Sequence, residues 1–267
     1  MRILGLLPFG YNPSACLLVD GVLESFTEED RLVGIKGAVG HFPEKAVRFC
    51  LERSGTTLAD VDAVAIGWNV DEYLEEVPRR YAARDIAYPE RGDETRAWEA
   101  QAARFFHPVA FRRFLEDGFR RHGFRGALPP VEFVGHHYSH AVLTYASSGF
   151  EESAVLTLDG SGENEAAVLW KARGEVVERT RSYELPKSLG WFYSAITQFL
   201  GFRHNFDEGK TMGLAPYGAP NDAIVRKMDA LLRVEAEDVI VDPSAIYWGP
   251  HYPGKGFSRR LCDLFGE

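Results

Sequence analysis

Apolar and polar positions alternate on a short period over the first thirty residues. Residues 2–7 are an apolar run that reads as a buried strand, and residues 15–19 repeat it after Phe9-Gly10-Tyr11-Asn12-Pro13-Ser14, a stretch rich in turn formers. Asp20-Gly21 is a two-residue hairpin signal, and residues 22–27 alternate as its partner strand should. The pattern predicts a three-stranded antiparallel meander whose first turn is polar and exposed.

Residues 28–37 read as a charged loop. Pro43 marks a helix start, and Ala46, Val47, Phe49, Cys50 and Leu51 give that helix an apolar face ended by Gly55. An apolar strand over 61–67 after a helix is the pattern of a parallel crossover. Residues 70–93 are charged without a clean period and read as an insertion or irregular surface helices. From 94 to 122 helical spacing returns, with Pro108 kinking or dividing it. A short strand over 131–134 leads into a helix that opens at a cluster of histidines.

After Gly149 the plan repeats. Residues 154–158 form a strand, Asp159-Gly160-Ser161-Gly162 a glycine turn, and residues 165–170 and 175–181 the second and third strands. Two meanders, each with a polar turn behind its first strand, predict two halves of one duplicated plan, 1–150 and 151–267, parting near 149–152. Further on, Ser188-Leu189-Gly190 opens a helix that Gly201 ends. Residues 205–218 form a loop dense in charge and glycine that suits a ligand wall, and a helix follows near 220–233.

Composition narrows the classes. At 267 residues, 45% hydrophobic and 13% aromatic, the chain buries a sizeable core as one large domain or two of ordinary size. A net charge of −9 argues against nucleic acid, which needs a basic footprint. Arg112, Arg113, Arg120 and Arg121 could form a nucleic-acid or phosphate patch, but their acidic neighbours and the net charge favour a solvated helix face. Cys16, Cys50 and Cys262 are odd in number and far apart, so neither a disulfide framework nor a thiolate zinc site is expected. The apolar start is too short for a signal segment or a membrane span, and a cytoplasmic protein without membrane contact is expected.

Candidate chemistry concentrates in Val134-Gly135-His136-His137-Tyr138-Ser139-His140-Ala141. His136 and His140 stand four apart on one helix face and can grip one metal ion, while His137 and His140, three apart, are a second pair. A capped helix start with satisfied histidines is the plain alternative. A mononuclear site also needs a third ligand, which no other histidine or cysteine nominates. In Asp159-Gly160-Ser161-Gly162-Glu163 the glycines let backbone N–H groups approach a phosphate and the aspartate can hold a metal or a water, although a hairpin turn explains the same residues. Lys36, in a Gly-rich loop, and Lys210, in Asp207-Glu208-Gly209-Lys210, are point charges suited to phosphate oxygens or, more plainly, solvated side chains.

Several segments together resemble one family. They are Asn12-Pro13-Ser14-Ala15-Cys16-Leu17-Leu18-Val19-Asp20-Gly21, Glu28-Glu29-Asp30-Arg31-Leu32, Phe42-Pro43, the His-His-x-x-His-Ala cluster, Asp159-Gly160-Ser161-Gly162-Glu163, Ser188-Leu189-Gly190-Trp191-Phe192-Tyr193-Ser194 and, most specifically, residues 207–218. In this order, over residues 1 to about 220, they resemble the carbamoyltransferases of antibiotic and Nod-factor biosynthesis, of the NodU/CmcH type. The resemblance implies an α/β, actin-like ATPase (ribonuclease H-like) fold of the Kae1/TsaD branch, with mixed sheets and helices. Here it would comprise the first subdomain (1–150) and part of the second (151–267), with the YrdC-like domain absent.

The reaction implied has two parts. Carbamoyl phosphate is hydrolysed to carbamate in the YrdC-like part; carbamate is then coupled to ATP as carbamoyl adenylate, from which the carbamoyl group passes to a hydroxyl or amine of a small molecule. The resemblance places ligands for an iron-type divalent ion on His136 and His140. It places nucleotide and carbamoyl contacts at Asn12, Lys36, Asp159 and Asp207, with Gly160, Gly162, Glu163, Glu208 and Lys210 beside them, and His137 is the candidate base. Tyr11-Asn12 stands where many relatives carry His-Asp, which puts a base or metal role for that turn in question.

The family's third metal ligand, an aspartate, is expected beyond residue 267. The expected reading is therefore an N-terminal portion: a truncated chain, a gene fragment, or one half of a split enzyme whose partner chain carries the rest. Little transferase activity and weak metal affinity are expected of it alone, the affinity returning when the missing segment is supplied in trans. Two alternatives remain. One is the tRNA threonylcarbamoyl-transferring sibling, against which Asp207-Glu208-Gly209-Lys210 and the acidity argue; the other is a non-catalytic nucleotide- or metal-binding module acting with a partner chain.

Overall fold

The structure is a computed structural model that describes residues 1–88, 93–249 and 254–266, apart from the side chains of 93–95. In chain order its elements are β1 (Arg2–Leu7), β2 (Ser14–Val19), β3 (Val22–Glu28), α1 (Glu29–Val33), α2 (Glu44–Arg53), β4 (Ala63–Ile66), α3 (Val70–Ala87), α4 (Asp93–Phe105), α5 (Pro108–Arg121) and β5 (Val131–Phe133). There follow α6 (His136–Ser148), β6 (Glu152–Gly162), β7 (Glu165–Arg173), β8 (Val176–Glu184), α7 (Leu189–Phe199), α8 (Glu208–Leu214), α9 (Asp222–Leu231), β9 (Leu232–Glu235), β10 (Asp238–Val241) and α10 (Arg259–Phe265). Two compact units result, 1–71 with 104–136, and 72–103 with 137–267.

The first unit carries a five-stranded sheet in the order β3-β2-β1-β4-β5. β2 is antiparallel to both its neighbours, whereas β4 runs parallel to β1 and β5 parallel to β4. This is the ribonuclease H-like arrangement expected of an actin-like half. Asp20 and Gly21 close the β2–β3 hairpin at positive φ (51° and 83°), the conformation that this turn demands. Phe111, Leu115 and Phe119 of α5, spaced by four, join Val47 of α2 and Leu4, Leu17, Val64 and Ile66 of the sheet in one core. The loop expected over 28–37 contains α1 instead. Glu29 is buried there, and its carboxylate accepts from the backbone N–H groups of Ala46 (2.8 Å) and Lys45 (3.3 Å) in the first turn of α2, so it acts as a helix cap.

The second unit is built on the antiparallel meander β6-β7-β8. Ala141 and Tyr145 of α6 pack against Val155, Val168, Trp170 and Ala172 of that sheet. The helix therefore belongs with the strands that follow it, and the compact units part at 136–137 rather than at 149–152. The glycine turn expected at 159–162 is part of β6, which continues through a bulge between Leu158 and Gly162; the chain reverses at Glu163, at φ 43°. A second apolar cluster joins Phe192 and Ala195 of α7 to Leu231, Val241 and Leu261. Among the described residues no helix is long and apolar enough to cross a membrane.

Within residues 70–93, expected to be irregular, α3 is a continuous helix of 18 residues. Its buried positions Val70, Tyr73, Val77, Tyr81 and Arg84 keep helical spacing, masked in the sequence because the last of them is charged. Arg84 lies against the rings of Tyr81 and Trp248, 4.7 and 4.9 Å from their centroids, and donates to the Trp248 carbonyl (2.8 Å) and to Glu99 Oε1 (2.5 Å). Burial pushes the Glu99 carboxyl up to about 7, against the pull of Arg84. A folded pKa above the unfolded value, about 4.3, means that the stability contributed is complete below that value and is lost as pH rises through about 7. The urea midpoint is expected to fall between pH 5 and pH 7.5, and Glu99→Gln to remove that component of the slope. An unchanged slope in the variant would contradict this assignment.

Candidate functional site

The first turn of α6 leaves His136 half-buried and His140 exposed, and buries His137 between them. His137, Ala141 and Tyr145, at successive steps of four, form the buried stripe of the helix. His136 and His140 lie one turn apart off that stripe. His136 packs edge-on to Trp68, ring centroids 5.4 Å apart. Of the two histidine pairs open in the sequence, the geometry brings together His136 and His140.

His137 does not stand at a reaction centre. It is 1% exposed, with Nδ1 2.9 Å from Thr157 Oγ1 and Nε2 3.0 Å from the Glu165 carbonyl oxygen. A carbonyl only accepts, so Nε2 carries a proton, while Nδ1 is paired with the threonine hydroxyl, which also lies 3.4 Å from the Val168 carbonyl oxygen. Trp170 Nε1 in turn donates to Thr157 Oγ1 at 3.0 Å. An imidazole with both nitrogens engaged in a buried network cannot reach a substrate proton, and the candidate base is corrected to a structural residue that fastens α6 to the sheet.

Asp159 completes a cluster with the two outer histidines. One ligand atom from each of His136, His140 and Asp159 lies within 4.8 Å of the others, the one such group among the described residues. His140 Nε2 is 3.9 Å from Asp159 Oδ2, and Asp159 Oδ1 accepts from the Gly160 N–H at 2.7 Å. Two imidazoles and a carboxylate with ligand atoms this close together are a donor set that could hold a divalent ion of the non-haem Fe(II) kind. Half-exposed side chains such as His140 and Asp159 can rotate to close the remaining distance. A carboxylate within this chain thus stands beside the two histidines. No local spacing announces it, because it lies nineteen residues after His140, on the strand against which α6 packs.

The glycines of Asp159-Gly160-Ser161-Gly162 and the motif Ser188-Leu189-Gly190-Trp191 explain one another. Ser188, the N-cap of α7, accepts from Trp191 N (3.0 Å) and donates to the Gly160 carbonyl (2.6 Å). A Cβ on Gly190 would lie 2.5 Å from Gly160 N and 2.6 Å from the Asp159 carbonyl oxygen; one on Gly160 would lie 3.3 Å from the Trp191 indole. The start of α7 thus rests on the backbone beside Asp159. Gly190→Ala should destabilise the chain by about 1–3 kcal/mol by overpacking and weaken metal binding by displacing Asp159. Unchanged urea midpoint and metal titration would refute that coupling.

The remaining expected residues fall into two groups. Asn12, at φ 52°, donates its N–H to the Gly37 carbonyl (2.8 Å), and Asp30 Oδ2 accepts from Gly37 N (3.3 Å), so the first turn and the exposed loop of Lys36 lie side by side in the first unit. Residues 205–218 are not a plain loop, because α8 begins within them. Asp207 is paired with Arg203 (3.3 Å) and Lys210 (2.9 Å), hydrogen bonds from these two holding its carboxyl far below the usual range, with Arg203 the larger influence. Glu208 Oε1 accepts from Ser194 Oγ (2.8 Å) and Asn205 N (2.6 Å). These charges tie their own segment together. Gly162 and Glu163 are buried at the β6–β7 reversal.

Comparison with known proteins converges on one family. The chain matches the family described as Carbamoyltransferase N-terminus over residues 2–247. It is 33% identical over 272 residues to the protein sll1178 of Synechocystis sp., covering 99% of this chain and 42% of that protein. It is 30% identical over 214 residues to the nodulation protein NolNO of Sinorhizobium fredii, covering 79% of this chain and 28% of that protein. The chain therefore spans less than half the length of these relatives. Among solved structures, YeaZ from Pseudomonas aeruginosa superposes with a TM-score of 0.37 at 16% identity, covering 70% of this chain and 67% of that chain, a likeness too partial to carry an argument. On the match that runs through almost all of its residues, the chain belongs to the carbamoyltransferase family of the NodU/CmcH type.

Proposed function

We propose that this chain holds the metal and nucleotide for ATP-dependent carbamoyl transfer to a hydroxyl or amine of a small molecule. Carbamoyl phosphate is first hydrolysed to carbamate and phosphate. Carbamate oxygen attacks the α-phosphorus of ATP, forming carbamoyl adenylate and releasing pyrophosphate; the acceptor then attacks the carbamoyl carbon, releasing AMP and a proton. The observation that carries the reading is the cluster of His136, His140 and Asp159 in a chain of this family.

His136 and His140 offer imidazole nitrogens one turn apart, and Asp159 adds a carboxylate oxygen, which together suit a divalent ion of the iron type. When bound, that ion supplies positive charge toward phosphate oxygens. The Gly160 N–H and the start of α7 keep the Asp159 carboxylate in place. Lys36 offers an exposed ammonium suited to phosphate oxygens, on a loop anchored by the turn at Asn12.

The test needs only the chain, ATP and Fe(II). ATP should bind the iron-loaded chain at least 10-fold more tightly than the metal-free chain, and Asp159→Asn should abolish the difference. Equal affinity with and without metal would sink the reading. A gel shift with tRNA in place of ATP would favour the tRNA-modifying sibling instead.

A further inference from the structure

The arginines of α5 divide into two pairs. Arg112 donates to the Val131 carbonyl (3.2 Å) and lies over the Phe133 ring, and Arg120 pairs with Asp117. The side chains of Arg113 and Arg121 make no hydrogen bond, ion pair or ring contact among the described residues, and both line a groove of about 560 Å³ on the first unit. That volume lies within the range of small-molecule sites.

Two rows of α5 shape the groove. Ala110, Phe114 and Gly118, spaced by four, form an apolar row, and Arg113, Asp117 and Arg121 form a charged row beside it. Phe42 lies flat on the bare backbone at Gly118, where a Cβ would stand 2.4–2.8 Å from its ring. Phe114 and Phe119 meet it edge-on, and His122 is stacked on it with ring centroids 5.5 Å apart and anchored to Glu44 at 2.6 Å. The floor is therefore aromatic and held in place. Asp117 would repel an anion, but Arg120 neutralises it. Arg113 and Arg121 are two turns apart, about 12 Å along the axis, and each has reach enough to converge on one oxyanion above the floor.

We infer that this groove binds a small organic anion: an aromatic or apolar body over Phe42 and Phe114, with a phosphate monoester or carboxylate held by Arg113 and Arg121. The site is independent of the histidine–aspartate cluster and of the nucleotide chemistry proposed for it.

The probes are phenyl phosphate, benzoate, inorganic phosphate and benzylamine, titrated calorimetrically into the chain at low ionic strength. Phenyl phosphate, benzoate or both should saturate one site, the stronger of the two identifying the oxyanion. Arg113→Gln/Arg121→Gln, with both changes on the surface and an unaltered circular dichroism spectrum, should weaken that binding at least 10-fold. Inorganic phosphate should bind at least 10-fold more weakly than phenyl phosphate, and benzylamine should not bind. The inference is overturned if neither aromatic anion saturates, if the double variant binds like the parent, or if benzylamine or inorganic phosphate binds as well as the aromatic anions.

Discussion

Fe(II) is expected to bind the parent chain with a stoichiometry of one, and the Asp159→Asn variant about 100-fold more weakly, equivalent to about 2.7 kcal/mol. Asparagine keeps an acceptor for the Gly160 N–H, so the bulge of β6 stays in place and the change removes the charge rather than the fold. His140→Ala should produce a loss of the same order, because it deletes the nitrogen that faces Asp159 Oδ2 at 3.9 Å. Competition against a ferrous chelator measures both. Parent-like affinity in Asp159→Asn would exclude the aspartate as a ligand.

His137→Ala is the second large effect expected, on stability rather than on binding. It opens a cavity at a residue 1% exposed and strips the Glu165 carbonyl and the Thr157 hydroxyl of their imidazole partner. Lost packing and the loss of both imidazole hydrogen bonds together cost about 3–5 kcal/mol. The urea midpoint should fall accordingly. His137→Gln, which retains an amide donor for the Glu165 carbonyl, should recover part of the loss and bind Fe(II) like the parent. If His137→Gln kept parental stability while losing metal affinity, the assignment of His137 as a fastening residue would be wrong.

These two residues mark where the sequence can be read and where it cannot. The pair at positions 136 and 140 is legible because residues four apart on a helix meet wherever that helix is placed. The buried fate of His137 is not, since it depends on which face of α6 meets β6 and β7. Asp207, Glu208 and Lys210 look like a ligand wall by composition, yet Arg203, Ser194 and Asn205 bring partners that satisfy much of that charge locally. Arg84 hides the period of α3 for a related reason. A charge in the buried stripe reads as surface until Tyr81, Trp248 and Glu99 are seen around it.

By itself the sequence determined the two meanders, the Asp20-Gly21 hairpin, the helix opened by Ser188, the histidine pair and the family to which these segments point. All of these rest on relations within a few residues, where backbone stereochemistry and hydrophobic periodicity act directly. Only the tertiary structure decided that Asp159 stands beside His136 and His140, that His137 is locked in a buried hydrogen-bond network, and that Arg113 and Arg121 share a groove floored by Phe42. Each of those depends on packing that joins segments distant in the chain. Burial and partner then set the proton on a ring or the use of a charge, and neither is encoded at the residue itself.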